Sequence, residues 1–441
     1  MEGDGMSLAG SAKPVIVMQP GPLHLFWTTG VFYFWVLKKD FNFVFIVPEN
    51  YRDHVRFQKV ANMPSVRHVE YLQSGGLACH RQFSKKFKSI LSQFRPSSIL
   101  LHNRSYVENQ YLIYWSRKLC PESPRYHYQN GRVALMWESD FAARRAGQIE
   151  EMSKKFSWLS EKSKIIGKIV DLRNGLAYVA NFKLRPLLSI GALFDPPVNV
   201  FTGHVNIKAT KESSNSGYDF LLAYLDNEIE AYRSQGIENI VKVRHPLSDC
   251  AEDVFKSLYD GYAVSDSILI LPSYGFTSRM LEDGWDQVGL ISHISGKWIQ
   301  GIEKLLEKYP GFEVKMKVHP LSLSDPIWRN ILAAICKRYP ELKSIDPKES
   351  AEWHVVQSKV IVGDVTTVLW WAGLYGGKTV ISLDIFKYAG GDEMRLYQPL
   401  VNYICDVDAI GKIDGGNEFL KFDKSILDCI QDTLRSEFIF A

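Results

Sequence analysis

The chain has 441 residues, 46% of them apolar and 23% charged, with 52 Lys and Arg against 49 Asp and Glu for a formal net charge of +3. At about 150 residues per domain, that length holds two or three domains, each able to bury a core. This composition excludes a disordered or collagen-like chain and a broadly basic nucleic-acid coat, and it leaves room for a local cationic pocket that takes one phosphate.

The six cysteines, at 79, 120, 250, 336, 405 and 429, form no CxxC spacing and read as reduced thiols of a cytoplasmic protein. The opening MEGDGMSLAGSAKP has no basic region followed by an apolar core, so no signal peptide is expected. Leu23–Leu37 is the most apolar early stretch, but it is shorter than the roughly 20 residues of a membrane span and contains His24. A crossover helix packed on a sheet is the expectation. The aromatic content of 13%, with 11 Trp, suits either a cleft for sugar rings or a surface touching lipid.

In chain order, VIVM (15–18) reads as a first strand, followed by a Pro-Gly-Pro turn and the apolar helix. FVFIV (43–47), HVEYL (68–72), SILLH (98–102) and YHYQN (126–130) read as further strands. Short continuous apolar runs between helices are what a buried parallel sheet gives. Residues 141–182 read as charged outer helices, 203–217 as a polar linker, and 218–234 as a helix. The alternation then restarts: strand 268–272, helix 296–309, strand 312–320, helix 326–339, strand 360–363, helix 366–376 and strand 379–384. This order predicts an α/β protein of two Rossmann-like domains, residues 1–217 and 218–441, with a cleft between them.

Ligands of open α/β sheets bind beyond the carboxyl ends of the strands, so the residues there are the candidates. The strand ending in Lys317-Val318-His319-Pro320 carries an imidazole able to donate to, or protonate, a departing phosphate oxygen. Lys317 and His319 are two residues apart and can leave one face. A second His-Pro, His245-Pro246, reads as structural. The strand ending at Gly363 leads through Asp364-Val365 to Thr366-Thr367 at a helix start, where hydroxyls and free N–H groups make a natural phosphate site. Glu282-Asp283-Gly284 lies in the loop after strand 268–272 and offers a carboxylate base for an acceptor hydroxyl, or a solvated acidic turn. The triplet Asp406-Val407-Asp408 lies beyond the sheet pattern and reads as a surface turn, not a metal motif. HExxH, the P-loop and GxGxxG are absent, which argues against common zinc proteases, NTPases and classical dehydrogenases.

Glu282-Asp283-Gly284, His319-Pro320 and Thr366-Thr367, in that order, resemble the acidic, His-Pro and Ser/Thr motifs of bacterial sialyltransferases of the GT-B fold. The lipooligosaccharide sialyltransferases and polysialyltransferase-like capsule enzymes are included. The runs ILILPSYGFTSRMLEDG and AEWHVVQSKVIVGDVTTVLWWA carry the likeness, over residues 262–385. The resemblance implies a GT-B enzyme that moves a sialic-acid-like nonulosonic acid from its CMP donor to a glycan hydroxyl of a capsule, lipooligosaccharide or O-antigen, inverting and without a metal or other cofactor. It implies Asp283 as general base and His319 as the residue serving the leaving phosphate. Lys317, Pro320, Gly363, Thr366 and Thr367 would line the donor site, with Glu352 on the ribose or cytosine. The acceptor would bind the first domain, and an acceptor linked to lipid would bring the protein to the inner face of the membrane. Two departures stand out: the pair is Thr-Thr where Ser-Ser is usual, and in some of these families the acidic motif lies in the first domain. There this chain has Tyr128-Gln129-Asn130-Gly131, with Glu138 and Asp140 the nearest carboxylates. The alternatives are a related transferase using CMP-Kdo or CDP-glycerol, and a non-catalytic sugar-nucleotide-binding protein. No nucleic-acid partner is expected.

Overall fold

The computed structural model describes residues 13–128 and 219–432 with gaps, among them 273–280, 282–283, 364–366, 385–400 and 414–424, and only isolated residues between 129 and 218. The chain divides into two compact units, residues 1–243 with 424–441 and residues 244–423.

Unit 1 is built on β1 (Val15–Gln19), β2 (Asn42–Pro48), β3 (Val66–Leu72), β4 (Ser98–Leu101), β5 (Arg125–Tyr128), β6 (Phe220–Ala223) and β7 (Ile240–Lys242). They lie in the order β3-β2-β1-β4-β5-β6-β7, every pairing parallel. The two-residue period of a strand divides the side chains between the faces. Val44 and Ile46 join Val17, Ile99 and Leu101 against Phe87, Leu91 and Leu112 of α3 (Leu77–Phe94) and α4 (Val107–Leu119). On the other face the Phe43 and Phe45 rings meet Phe34, at 5.0 and 5.4 Å. Phe34 belongs to α1 (Val31–Leu37), which continues a π-helical turn over Phe26–Gly30. The apolar stretch at 23–37 is therefore a crossover packed on the sheet, with Phe26, Phe32 and Phe34 fully buried. A short helix, α2 (Val55–Ala61), follows β2. Among the described residues no helix is long and apolar enough to cross a membrane.

Two expectations change here. Residues 220–223, read as the start of a helix, form β6, and the Phe220 ring stacks on Tyr126 at 5.4 Å. The run Phe-Leu-Leu-Ala is short, apolar and bounded by polar residues, and burial on the sheet outweighs its helix propensity. The strands at 220–223 and 240–242, within the stretch assigned to the second domain, thus complete the first sheet, and the division falls at 243/244. The expected outer helices at 141–182 and the linker at 203–217 lie outside the described residues, apart from isolated positions.

Unit 2 opens with α5 (Leu247–Leu258), then runs β8 (Ser265–Leu271), α6 (Gln287–Lys308), β9 (Glu313–Met316), α7 (Pro326–Arg338), β10 (Lys343–Ser344), α8 (Ala351–Gln357), β11 (Ser358–Gly363), α9 (Thr367–Tyr375), β12 (Thr379–Leu383) and β13 (Asn402–Ile404). The strand order is β10-β9-β8-β11-β12-β13, again wholly parallel. Asp286 caps α6 by accepting from Gly289 N at 2.9 Å, and Asp325 caps α7 by accepting from Ile327 N at 2.8 Å, with Pro326 at the first helical position. Leu290, Ile294, Trp298, Ile302 and Leu305 make one buried stripe of α6, which meets Trp328, Ile331 and Ile335 of α7 over Ile268, Ile270, Val360 and Val362. Asp406 accepts from Asp408 N at 3.1 Å and caps a 3₁₀ turn, Val407–Lys412, as expected of a surface turn. Lys378 is buried and donates to Val356 O (2.9 Å) and Ser358 O (2.7 Å) at the end of α8; burial draws its ammonium down to about 8.

Each sheet reverses its winding once, between β1 and β4 in unit 1 and between β8 and β11 in unit 2. Such reversals are where ligands of doubly wound sheets settle. A glycine stands at both. Gly21 adopts φ +75°, and a Cβ there would lie 2.1 Å from the His102 ring. A Cβ on Gly363 would lie 2.6 Å from Leu271 O, which is backbone and cannot rotate away. Gly363→Ala is expected to cost about 1–3 kcal/mol, the usual price of overpacking, in urea unfolding. Gly296→Ala, in the interior of α6 with open space around it, is expected to leave stability equal or raise it by up to about 1 kcal/mol.

His245-Pro246 is structural, as the sequence suggested. His245 is fully buried and its Nδ1 accepts from Leu247 N at 3.1 Å, so its proton sits on Nε2. Burial depresses its pKa to about 3, against about 6.5 in an unfolded chain. Between those values the unfolded state binds the extra proton, so stability must fall as the pH drops from 6.5 toward 3, by up to about 1.4 kcal/mol per pH unit. Urea midpoints measured across pH 7 to 4 are expected to decline, with a shallower decline in His245→Asn.

Candidate active site

The carboxyl edge of the unit 2 sheet gathers several of the residues singled out in the sequence. The ladder of β9 runs one residue beyond the strand, through Lys317 N to Ile270 O at 2.9 Å. Met316 and Val318 turn into the core beneath α6 and α7. Lys317 therefore points to the opposite face, that of α8, where it is buried. Desolvation lowers the pKa of its ammonium, while Glu352, Glu349 and Asp346 push it back up. One buried cation is thus matched against three carboxylates. His354 closes the group, its Nε2 2.8 Å from Glu349 Oε2.

His319 lies two residues past Lys317, but exposed. The sequence suggested that both side chains leave one face together; the backbone instead turns after Val318. The His319 carbonyl accepts from Ser322 N at 2.9 Å, and Pro320 opens a 3₁₀ turn, Pro320–Leu323. Partial burial first, and then the Lys317 charge, lower the His319 pKa. At neutral pH its ring is accordingly neutral, with one N–H to donate and no spare proton to transfer.

Gly363 ends β11 beside Leu271, and α9 begins at Thr367. Glu352 stands in the first turn of α8, the helix that runs directly into β11. The structure therefore brings Lys317, His319, Glu352, Gly363 and the start of α9 to one edge of one sheet. Thr366 and the Glu282-Asp283 pair lie outside the described residues; Gly284, at φ +93°, donates its N–H to Leu281 O at 3.1 Å. Gln129, Asn130, Glu138 and Asp140 also fall outside.

Sequence reasoning missed Asp346, Glu349 and His354, and it missed Asp384, a buried carboxylate that follows β12 and accepts from the Tyr403 hydroxyl at 2.7 Å. The spacing Asp346, Glu349, Glu352 was visible as an acidic i, i+3 series, but only the fold puts Lys317 against it. Among the described residues no group of three or more His, Cys, Asp and Glu side chains is arranged to hold a metal ion.

The charge arrangement favours some ligand groups over others. Asp346, Glu349 and Glu352 suit hydroxyl donors such as those of a ribose. A phosphate is better matched where donors outnumber carboxylates, on the side of the exposed His319 and the N-terminal turn of α9.

No family model matches the chain, and no curated protein does. Solved structures do resemble it. The UDP-GlcNAc 2-epimerase of Methanocaldococcus jannaschii superposes with a TM-score of 0.54 at 12% identity, over 97% of this chain and 99% of that one. The UDP-GlcNAc 2-epimerase of Neisseria meningitidis, bound to UDP-GlcNAc, does so with 0.50 at 11% identity, over 90% and 89%. The wall teichoic acid polymerase TagF follows with 0.43 at 12% identity, over 96% and 81%. Identities this low speak for the fold alone, an α/β protein of the GT-B type with two parallel sheets.

His319 is expected to titrate below 6.5 by NMR. Lys317→Met removes a positive neighbour, and the midpoint is expected to move upward; an unmoved midpoint means the two groups do not sense each other.

Proposed function

We propose that the chain is a glycosyltransferase that takes a nonulosonic acid from a CMP-activated donor to a glycan hydroxyl. The observation that carries this reading is the convergence of Lys317, His319, Glu352 and the start of α9 on one edge of the unit 2 sheet, from three separate stretches of sequence. Those stretches are the ones whose motifs resemble the sialyltransferases. In this reading unit 2 binds the donor and unit 1 the acceptor.

The chemistry assigned to each residue is specific. The acceptor oxygen attacks the anomeric carbon as the bond from that carbon to the CMP phosphate oxygen breaks. The acceptor proton passes to Asp283. The phosphate leaves with its full charge, stabilised by the His319 N–H and by the donors at Thr366 and Thr367. Because His319 is neutral, its part is to donate a hydrogen bond, not to protonate the leaving group. Glu352 accepts from the ribose hydroxyls, held in place by its attraction to Lys317. Attack opposite the leaving group inverts the anomeric centre. No step uses a cofactor. An acceptor carried on lipid would bring the protein to a membrane surface, which co-sedimentation with vesicles tests.

The reading is tested by nucleotide release from CMP-sialic acid, CMP-Kdo, CDP-glycerol and UDP-GlcNAc. Release from CMP-sialic acid is expected, with thermal stabilisation by CMP exceeding that by UDP. His319→Ala and Asp283→Ala are each expected to lower kcat by about 10²–10⁴, the range for a lost acid–base or hydrogen-bonding group. Turnover of the glycerol or UDP donor alone would overturn the choice of donor. Binding of CMP with no transfer under any condition would overturn catalysis.

A further inference from the structure

The chain enters unit 2 at Arg244, and the first element it builds there, α5, lies against the two helices that carry Glu352 and Thr367. The contacts are aromatic and sit beside those residues in sequence. Trp353, next to Glu352, stacks on Tyr259 at the end of α5, with centroids 4.6 Å apart and planes 11° from parallel. Phe255 of α5 stands 6.1 Å from Trp353 and 6.5 Å, edge to face, from Trp371 of α9. At the other end of α5, the His245 ring meets Trp370 edge to face at 5.9 Å and 86°. Trp370 is one turn along α9 from Thr367. His245, Phe255, Tyr259, Trp370 and Trp371 are all buried.

Nothing in this arrangement touches a ligand, yet it fixes where both helices stand. α8 and α9 have seven and nine residues, too short to hold their own place. Their far ends are pinned, with Lys378 bonded to Val356 O near the end of α8 and to Ser358 O at the start of β11, and lying 5.0 Å from the Tyr375 ring of α9. Their starts, at the sheet edge, are steadied from outside by α5. Of the four ring pairs that join α5 and its two flanking residues to these helices, one is stacked face to face, so a change of register there separates the rings.

We propose that α5 is a clamp that sets the spacing of the two donor-site helices, with His245 and Tyr259 as positioning residues acting through Trp370 and Trp353. This rests on the donor site proposed above. His245 keeps a double role, its Nδ1 closing the start of α5 and its ring edge bearing on Trp370. The two can be separated. Asn at 245 offers an oxygen to Leu247 N and no ring, while Leu at 259 keeps apolar bulk and removes the stack.

The test compares wild type, His245→Asn, Tyr259→Leu and Tyr259→Phe, with CMP affinity measured by calorimetry, kcat and KM measured separately, and hydrogen exchange followed in peptides spanning 351–357 and 367–375. His245→Asn and Tyr259→Leu are expected to weaken CMP binding about three- to tenfold, the worth of an aromatic pair, with the change in KM and little in kcat. Exchange is expected to quicken in those two peptides and not in 287–308 or 326–338. Tyr259→Phe, which keeps the ring, is expected to match wild type. Unchanged CMP affinity and unchanged exchange in both ring-removing variants would overturn the clamp. Should a variant lose its fold, the intact one carries the comparison, and loss of both with an unaltered Tyr259→Phe would overturn a specific role in positioning. Should wild type bind no cytidine nucleotide, the donor reading falls, and the exchange of α8 and α9 alone then decides the clamp.

Discussion

Where a doubly wound sheet changes its winding direction, two adjacent parallel strands send their chains to opposite faces, and a crevice opens at their carboxyl ends. In unit 2 that parting brings the end of β11 so close to the end of β8 that only a glycine fits, with Leu271 O where a side chain would begin. The rest of the site follows from this approach. It fixes the register of β11 against β8, the strand on which β9 in turn lies, carrying Lys317 and the His319 turn. Unit 1 has the same device in Gly21 against His102. The two units thus share a geometric rule while differing in the side chains around it.

The second determinant is electrostatic. A lysine carried by a strand end is drawn under α8 and compensated by three carboxylates, one of which, Glu352, lies at the sheet edge. Desolvation opposes the charge and the carboxylates restore it, so the group holds together as a unit. His319 feels the same group: partial burial first, and the neighbouring ammonium second, lower its pKa and suit the ring to hydrogen bonding. The three carboxylates also leave the surroundings of Lys317 without net positive charge, so an anion gains little there.

Much of this was legible before any coordinates. β1, β2 and β4, and β8, β11 and β12 in unit 2, carry short apolar runs buried on both faces, a pattern that survives without knowledge of neighbours, whereas the exposed pair Lys343–Ser344 and the half-buried Asn402–Ile404 carry no such signal. α7 and the second half of α6 announce themselves through periodic Leu, Ile and Trp, whereas α6 starts at Gln287, nine residues before the expected 296, from an Asp286 cap in a run interrupted by Gly289, Ser292 and Ser295. What was not legible has identifiable causes. Residues 220–223 form four residues of strand whose partner, β5, lies 94 positions away in the Arg125–Asp219 contact, so local propensity misleads. α5 carries a clear helical stripe in Leu247, Cys250, Ala251, Val254, Phe255 and Leu258, and the structural His-Pro before it is the start of that helix. The surroundings of Lys317 come from the segment after β10, and no spacing rule joins it to a strand end more than two dozen residues earlier.

The buried ammonium of Lys378 has a further consequence. Its nitrogen is occupied by two carbonyls and shielded from solvent, so amine-directed reagents can modify it only when the end of α8 comes loose. Acylation of this one lysine, followed over time against the exposed lysines of the same unit, would therefore act as a clock for the breathing of the protein around β11. The low basicity imposed by its surroundings means that, once uncovered, it returns to an ordinary amine and reports the opening itself.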